Sequence, residues 1–369
     1  MRKILPLHLS TGITNDCWHV YRLAPLMTKE HFKPWFMERF IELEMGFSLG
    51  APIDQFWVQY YRLEYYDMNW FYGRMLDTVT VMPGKGEFCS FTKDAIDRNN
   101  YVLIACDHFY LKQTPYYLRE HVIHEFLICG YDSLRRVWHV LILLNDNWSI
   151  LEIPFEQLET SFEFALKQVR DDRKAYRWLG RFEMPYTLIR LKSPSAQPVR
   201  LYKIYESIEN SLVGAERKIK ERTLAGGELQ CLEWTGISIY KGFVELARTI
   251  LYEHPSLLMD KHILLGMKKF VENKSGFLIR LRYLQNLTLI ETNDRLLEQA
   301  ALVVDYLNEA YFWMSKYNFS GLKHHLDRMI EMLLRAEALD VQVLQEALEV
   351  VGIGLDSQFG ETAGSLYEG

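Results

Sequence analysis

Between residues 101 and 153 the chain alternates apolar runs of strand length with short polar connections. The runs are YVLIAC (Tyr101–Cys106), HEFLICG (His124–Gly130), VWHVLILL (Val137–Leu144) and WSILEI (Trp148–Ile153). The connections Tyr131–Arg136 and Asn145–Asn147 are short and polar, as antiparallel hairpins require. This pattern predicts a four-stranded antiparallel meander. Pro154 stops the last strand, and Phe155–Val169 resumes helical spacing. One connection, Asp107–Glu120, is long, and long loops inside compact domains often carry function.

Upstream of the meander, residues 4–16 read as an extended lead-in and a polar loop. Asn15 and Asp16 are good N-cap types, so a helix is predicted from Cys17 to about Met27. Lys29–Phe47 places Phe32, Trp35, Phe36, Phe40 and Leu43 at helical spacing, which predicts an amphipathic helix. The aromatic stretch Gln55–Tyr72 is expected to pack a core. Val79–Met82 reads as a short strand, Pro83–Gly86 as a turn and Phe91–Asn99 as a short helix. The glycines of that turn match no phosphate-binding loop.

After a linker at Leu191–Pro198 the pattern turns helical. Helices are predicted over Tyr202–Glu221, Cys231–Tyr252, Leu257–Val271 and Phe277–Leu289, with breaks at Gly226-Gly227 and at Asn273–Gly276. Gly236 and Gly242 are expected to let helices approach closely. Asn293 or Asp294 caps a further helix through about Tyr317. Leu322, Leu326, Met329, Ile330 and Leu333 form an apolar stripe, and Asp340–Val350 continues it. The fold class that follows is α+β: a domain over residues 1–190 with an antiparallel meander, an all-α helical bundle over 199–353, and a disordered tail over 354–369.

Composition narrows the function classes. The 369 residues suit two domains, and 20 Phe, 22 Tyr and 9 Trp promise a substantial core. A net charge of −6 without a basic block argues against nucleic acid. Five cysteines, an odd number without framework spacing, point to a reducing cytoplasm. The broken apolar stretch of MRKILPLHLSTG is too short for a signal peptide, and no run approaches ~18 apolar residues, so no membrane span is expected.

Candidate chemistry gathers in Asp107–Asp132, which holds Asp107, Tyr110, His121, His124 and Asp132. His124 opens a buried strand. It reads either as a hydrogen-bonded core histidine or as a general base at the lip of a sheet. Cys17 starts a helix, where unpaired amides favour thiolate, although Asp16 next to it opposes that. A working imidazole needs a third polar group to orient it. The strand after His139 offers only aliphatic residues, leaving Asn145 and Asp146 at its end. His121 and His124 do not form HExxH and no third ligand has suitable spacing, so neither a metal nor a cofactor is expected. Asp107 reads as a loop cap, Tyr110 with Tyr116 and Tyr117 as loop packing, and Gly130-Tyr131-Asp132 as turn chemistry.

The run D-x-x-Y-L-(x)9-H-x-x-H-E-x-L-I-x-G-Y-D at Asp107–Asp132 resembles the N-terminal domain of the butirosin biosynthesis protein H family, over about residues 1–175. The resemblance implies a papain-like cysteine-protease fold. It also implies a place in bacterial peptide or secondary-metabolite biosynthesis, where the family's namesake moves an acyl group from a carrier protein to an aminoglycoside. Carried over, His124 is the general base, and Cys17, followed by Trp18, is the nucleophile. The third position falls near Ile142, where such folds hold Asp or Asn, so a triad would draw on Asp146, Asn145 or Asp132.

Two functions follow. Ile142 favours an accessory protein whose papain-like domain is catalytically degenerate and recognises substrate, with Asp107, Tyr110, His121 and Asp132 lining its cleft. Cys17-Trp18 favours a thiol-dependent acyltransferase or peptidase using Cys17, His124 and Asp146. Either would meet a carrier protein or peptide in the cytoplasm. A purely structural partner, held through the helical half, is a third possibility. The enzyme reading requires the Cys17 sulfur within about 4 Å of a His124 ring nitrogen, and a gap above ~8 Å rejects it.

Overall fold

A computed structural model gives the fold. It describes all residues except 11, 49–55, 61–70, 85, 145–146, 173–184, 194–197, 223–227, 252–260 and 366–369. The chain divides into two compact units. One joins Met1–Lys33 to Glu64–Ala196, and the other joins Pro34–Leu63 to Gln197–Gly369. Both strand and helix are abundant, so the class is α+β, as the pattern predicts. The division departs from a single cut near residue 190, because the 34–63 segment belongs with the C-terminal half.

The first unit is built on a seven-stranded sheet. Its strands are β1 (Arg2–Ile4), β4 (Leu76–Thr80), β5 (Tyr101–Asp107), β6 (Ile123–Asp132), β7 (Val137–Leu144), β8 (Asn147–Pro154) and β9 (Tyr186–Leu191), with β2 and β3 lying in the second unit. The spatial order β4-β9-β5-β6-β7-β8 contains the predicted meander intact. β9 inserts on the far side of β5, and β1 pairs with the end of β6. β5 and β6 pair antiparallel, Cys106 opposite His124 and Ala105 opposite Glu125. Their residues are almost all buried, which explains why these two strands read as continuous apolar runs.

Among the described residues, three helices pack in this unit: α1 (Cys17–Leu26), α3 (Phe88–Asp97) and α4 (Phe155–Asp171). Phe88 of α3 stacks on Phe162 of α4 at 5.0 Å between ring centroids, edge-on to Trp138 of β7. The aromatic content thus goes into joining helices to sheet.

The second unit is not an all-α bundle. A four-stranded antiparallel sheet in the order β10-β11-β2-β3 runs through it. Its strands are β2 (Leu43–Ser48), β3 (Phe56–Tyr60), β10 (Ala215–Arg222) and β11 (Glu228–Thr235). β2, β10 and β11 lay under apparent helical periods, and β3 under the aromatic stretch Gln55–Tyr72. In Lys29–Phe47 the helix α2 covers only Lys33–Met37. Phe40 takes a left-handed φ of 60°, which ends helical geometry before β2 begins. Tyr202–Glu221 splits into α5 (Leu201–Val213) and β10 because Gly214, at φ +56°, turns the chain. Cys231–Tyr252 splits likewise into β11 and α6 (Ile239–Glu245), with Gly236 at φ +54° and its Cα side closed by the Ser211 backbone.

Three long helices complete this unit: α7 (Lys261–Asn286), α8 (Asp294–Ser320) and α9 (Lys323–Ser365). α8 packs against both others, and Asn293 caps it by accepting from Leu296 N at 2.8 Å. The break expected at Asn273–Gly276 is absent. Asn273 is buried inside α7 and donates to Ile41 O at 2.9 Å, while Lys274 pairs with Asp340 of α9 at 2.6 Å. Tertiary partners satisfy these polar groups, so they do not stop the helix. The 354–369 stretch is helical through Ser365 rather than frayed. Arg280 of α7 is buried and donates to Met37 O at 2.6 Å and Arg39 O at 2.5 Å. Burial lowers its pKa to about 10, which leaves it cationic at neutral pH. Among the described residues, no helix is long and apolar enough to cross a membrane.

Candidate functional site

α1 begins at Cys17, with the Asp16 carbonyl accepting from the amides of His19 and Val20 at 3.0 Å. β6 begins at Ile123, so His124 and Glu125 occupy its second and third positions. Helix start and strand start meet. The Cys17 sulfur, a His124 ring nitrogen and a Glu125 carboxylate oxygen all lie within 4.8 Å of one another. Cys17 Sγ stands 4.0 Å from Glu125 Oε2, and His124 Nδ1 stands 2.6 Å from that same oxygen. The side chain of His124 is 39% exposed while that of Glu125 is completely buried. The separation of Cys17 and His124 therefore falls near the short limit of the distance criterion, far from ~8 Å.

Neighbouring contacts hold this arrangement. Tyr21, one turn into α1, donates its hydroxyl to the Glu125 carbonyl at 2.5 Å. Burial, then the Glu125 carboxylate, then Cys17, push the Tyr21 pKa well above its ordinary value, so it stays a donor. The Tyr21 ring meets Trp148 of β8 edge-on at 5.2 Å, and the Trp148 indole donates to Thr14 O at 2.8 Å. The loop before α1 is thus tied to the sheet on both sides of Cys17.

A second imidazole stands close by. His108, in the single 3-10 turn that follows β5, is buried, and its ring centroid lies 6.2 Å from that of His124. Neither of its ring nitrogens has a hydrogen-bond partner among the described residues. Burial first, and then His124, lower the His108 pKa to about 3, so it is neutral.

No protein-family model matches this chain, and no curated protein matches it. What the site can do is read from its chemistry. A carboxylate on Nδ1 leaves Nε2 as the basic nitrogen of a neutral imidazole, and a thiol lies within reach of that ring. These are the parts of a nucleophile–base–orienting-group set.

The remaining predicted residues fall in two places. Asp107 is buried and caps the turn after β5 by accepting from Phe109 N at 3.0 Å. Its other oxygen meets His121 Nδ1 at 2.6 Å, and the His121 ring stacks on Phe109 at 4.2 Å. Tyr110 stacks on Phe164 of α4 at 4.3 Å and packs the loop, as expected. Asp132 accepts from the amides of Leu134 and Arg135 at 2.9 and 3.1 Å, in the β6–β7 turn. It stands eight steps along the strand from His124, roughly 26 Å at about 3.3 Å per residue, so it is neither an orienting group nor part of this site. Asp146, with Asn145, lies outside the described residues. Ile142 is buried in β7 opposite Ser149.

Strand alternation puts Glu125 on the face opposite His124, which hides it as a partner in the sequence. A signal was present: it is the one acidic residue inside the otherwise apolar run HEFLICG. A buried carboxylate in such a strand needs a partner. Tyr21 and His108 carried no comparable mark.

Proposed function

We propose that the first unit is a thiol-dependent acyl-transfer or hydrolytic module, with Cys17 as nucleophile, His124 as general base and Glu125 as orienting carboxylate. The mutual approach of those three groups within 4.8 Å carries this reading. His124 takes the Cys17 proton, and the thiolate adds to an acyl carbonyl. The tetrahedral intermediate collapses to a thioester as the leaving group takes the proton from His124. An amine, hydroxyl or water then attacks the thioester, with His124 again as base. Glu125 holds Nδ1–H and offsets the charge of the imidazolium in both halves.

A helix-borne cysteine facing a strand-borne histidine supports a papain-like reading of the unit. The resemblance of Asp107–Asp132 to the butirosin biosynthesis protein H family supports an acyl donor held on a carrier protein or peptide, in cytoplasmic secondary-metabolite assembly. The case for a degenerate recognition domain rested on Ile142. Glu125 brings the carboxylate that Ile142 lacks, from the strand of the histidine itself. A cysteine-directed acyl probe tests the proposal. It should label the wild-type chain at Cys17 and spare Cys17→Ala, and equal labelling of both rejects it.

A further inference from the structure

The donors gathered where the start of α1 meets the start of β6 are a thiol, an imidazole and a carboxylate, the three side-chain types that zinc takes. Ligands about 2.0–2.3 Å from a tetrahedral zinc stand about 3.3–3.8 Å from one another. The 4.8 Å envelope of this cluster needs side-chain shifts of only an ångström or so to match. Two further observations point to a cation. Glu125 is fully buried, yet its Oε1 has no hydrogen-bond partner among the described residues. His108 is buried with both nitrogens likewise unpartnered, edge-on to His124 at 6.2 Å. Two imidazoles bound to one zinc through nitrogens about 2.0 Å from it have centroids about 5 Å apart, about an ångström closer than this pair stands.

We propose that Cys17, His124, Glu125 and His108 form a reversible zinc site whose occupancy shuts off the thiol. Four protein donors leave no open position for water or substrate, so the bound ion blocks chemistry instead of catalysing it. As the sulfur–zinc bond forms, Cys17 releases its proton to solvent, and no electron changes hands. The inhibitory consequence rests on the thiol reading above, whereas the binding of the ion does not.

The test uses the full chain stripped with EDTA. Zinc chloride is titrated against a chromophoric chelator, and alkylation by iodoacetamide is followed at the Cys17 and Cys89 peptides by mass spectrometry. Cys89 is partly exposed and serves as an internal reference. One equivalent of zinc should slow alkylation of Cys17 at least tenfold and leave Cys89 unchanged, with EDTA restoring the rate. Cys17→Ser, and separately His108→Ala and His108→Gln, should each weaken zinc binding about tenfold or more. The site is overturned if one equivalent is not held, if Cys17 stays equally reactive with zinc bound, or if both His108 variants bind zinc as wild type does. Acyl-probe labelling of metal-free protein without zinc protection sinks only the zinc site. Zinc protection without any acyl-probe labelling sinks only the thiol chemistry.

Discussion

Glu125 Oε2 lies 2.6 Å from His124 Nδ1, and the two are consecutive residues of one strand. Successive strand side chains ordinarily point to opposite faces. Here the pair sits in the first residues of β6, where the histidine is half-exposed and the carboxylate turns inward. The carboxylate therefore travels with the imidazole on a single rigid element, whatever residues 145–146 contribute.

Glu125→Gln should lower the rate of acyl-probe labelling at Cys17 by at least tenfold. The ceiling is about 10⁴-fold, the loss seen when a serine triad loses its orienting carboxylate. The amide keeps the size of the side chain but removes the charge that stabilises the imidazolium. Stopped-flow or timed mass-spectrometric labelling reads the effect, and a rate within threefold of wild type would leave Glu125 a structural residue only.

How much of this was legible depends on which physical constraint dominates each segment. The meander was legible because β5–β8 each pair with a neighbour in sequence, so local pattern and global topology agree. β10 and β11 were not, since AERKIKER and ELQCLEWT carry spacings that suit a helix as well as a strand. The two pair with each other, and Leu43–Ser48, far away in sequence, pairs with the other edge of β11. Cys17 and His124 were each legible near the start of their own element, and their pairing is what the family resemblance implies. Their third partner was not, because period two holds for a strand's interior and Glu125 sits near its end.

His108 gives the molecule a pH dependence of defined sign. Its folded pKa of about 3 lies below the ordinary value of 6.5, so between those values the unfolded chain binds more protons. The stability it contributes is complete above about pH 6.5 and is lost as pH falls toward 3. The slope cannot exceed about 1.4 kcal/mol per pH unit for one group. His108→Phe, which keeps an aromatic ring between Phe126 and Tyr116, should flatten the stability curve between pH 6.5 and 4 in EDTA-treated protein. Urea titrations at each pH check this, and parallel wild-type and variant curves would show that His108 is not held neutral.

The second unit offers a test of its internal polar network. Asp340 of α9 accepts from Lys274 at 2.6 Å and from the Tyr240 hydroxyl at 3.1 Å, and both ions are almost fully buried. Removing one member leaves the other charge uncompensated in a medium where that is costly. Asp340→Ala should therefore destabilise this unit by about 3–5 kcal/mol, the range for breaking a buried pair. Replacing both ions with apolar side chains of similar volume, as in Lys274→Met with Asp340→Leu, removes the desolvation cost together with the attraction. The double variant should recover most of that loss, leaving only the Tyr240 hydroxyl without its acceptor, about 1–3 kcal/mol. Calorimetric melting of the two variants distinguishes the cases. A double variant no more stable than Asp340→Ala would mean that the pair contributes through packing shape and not through charge.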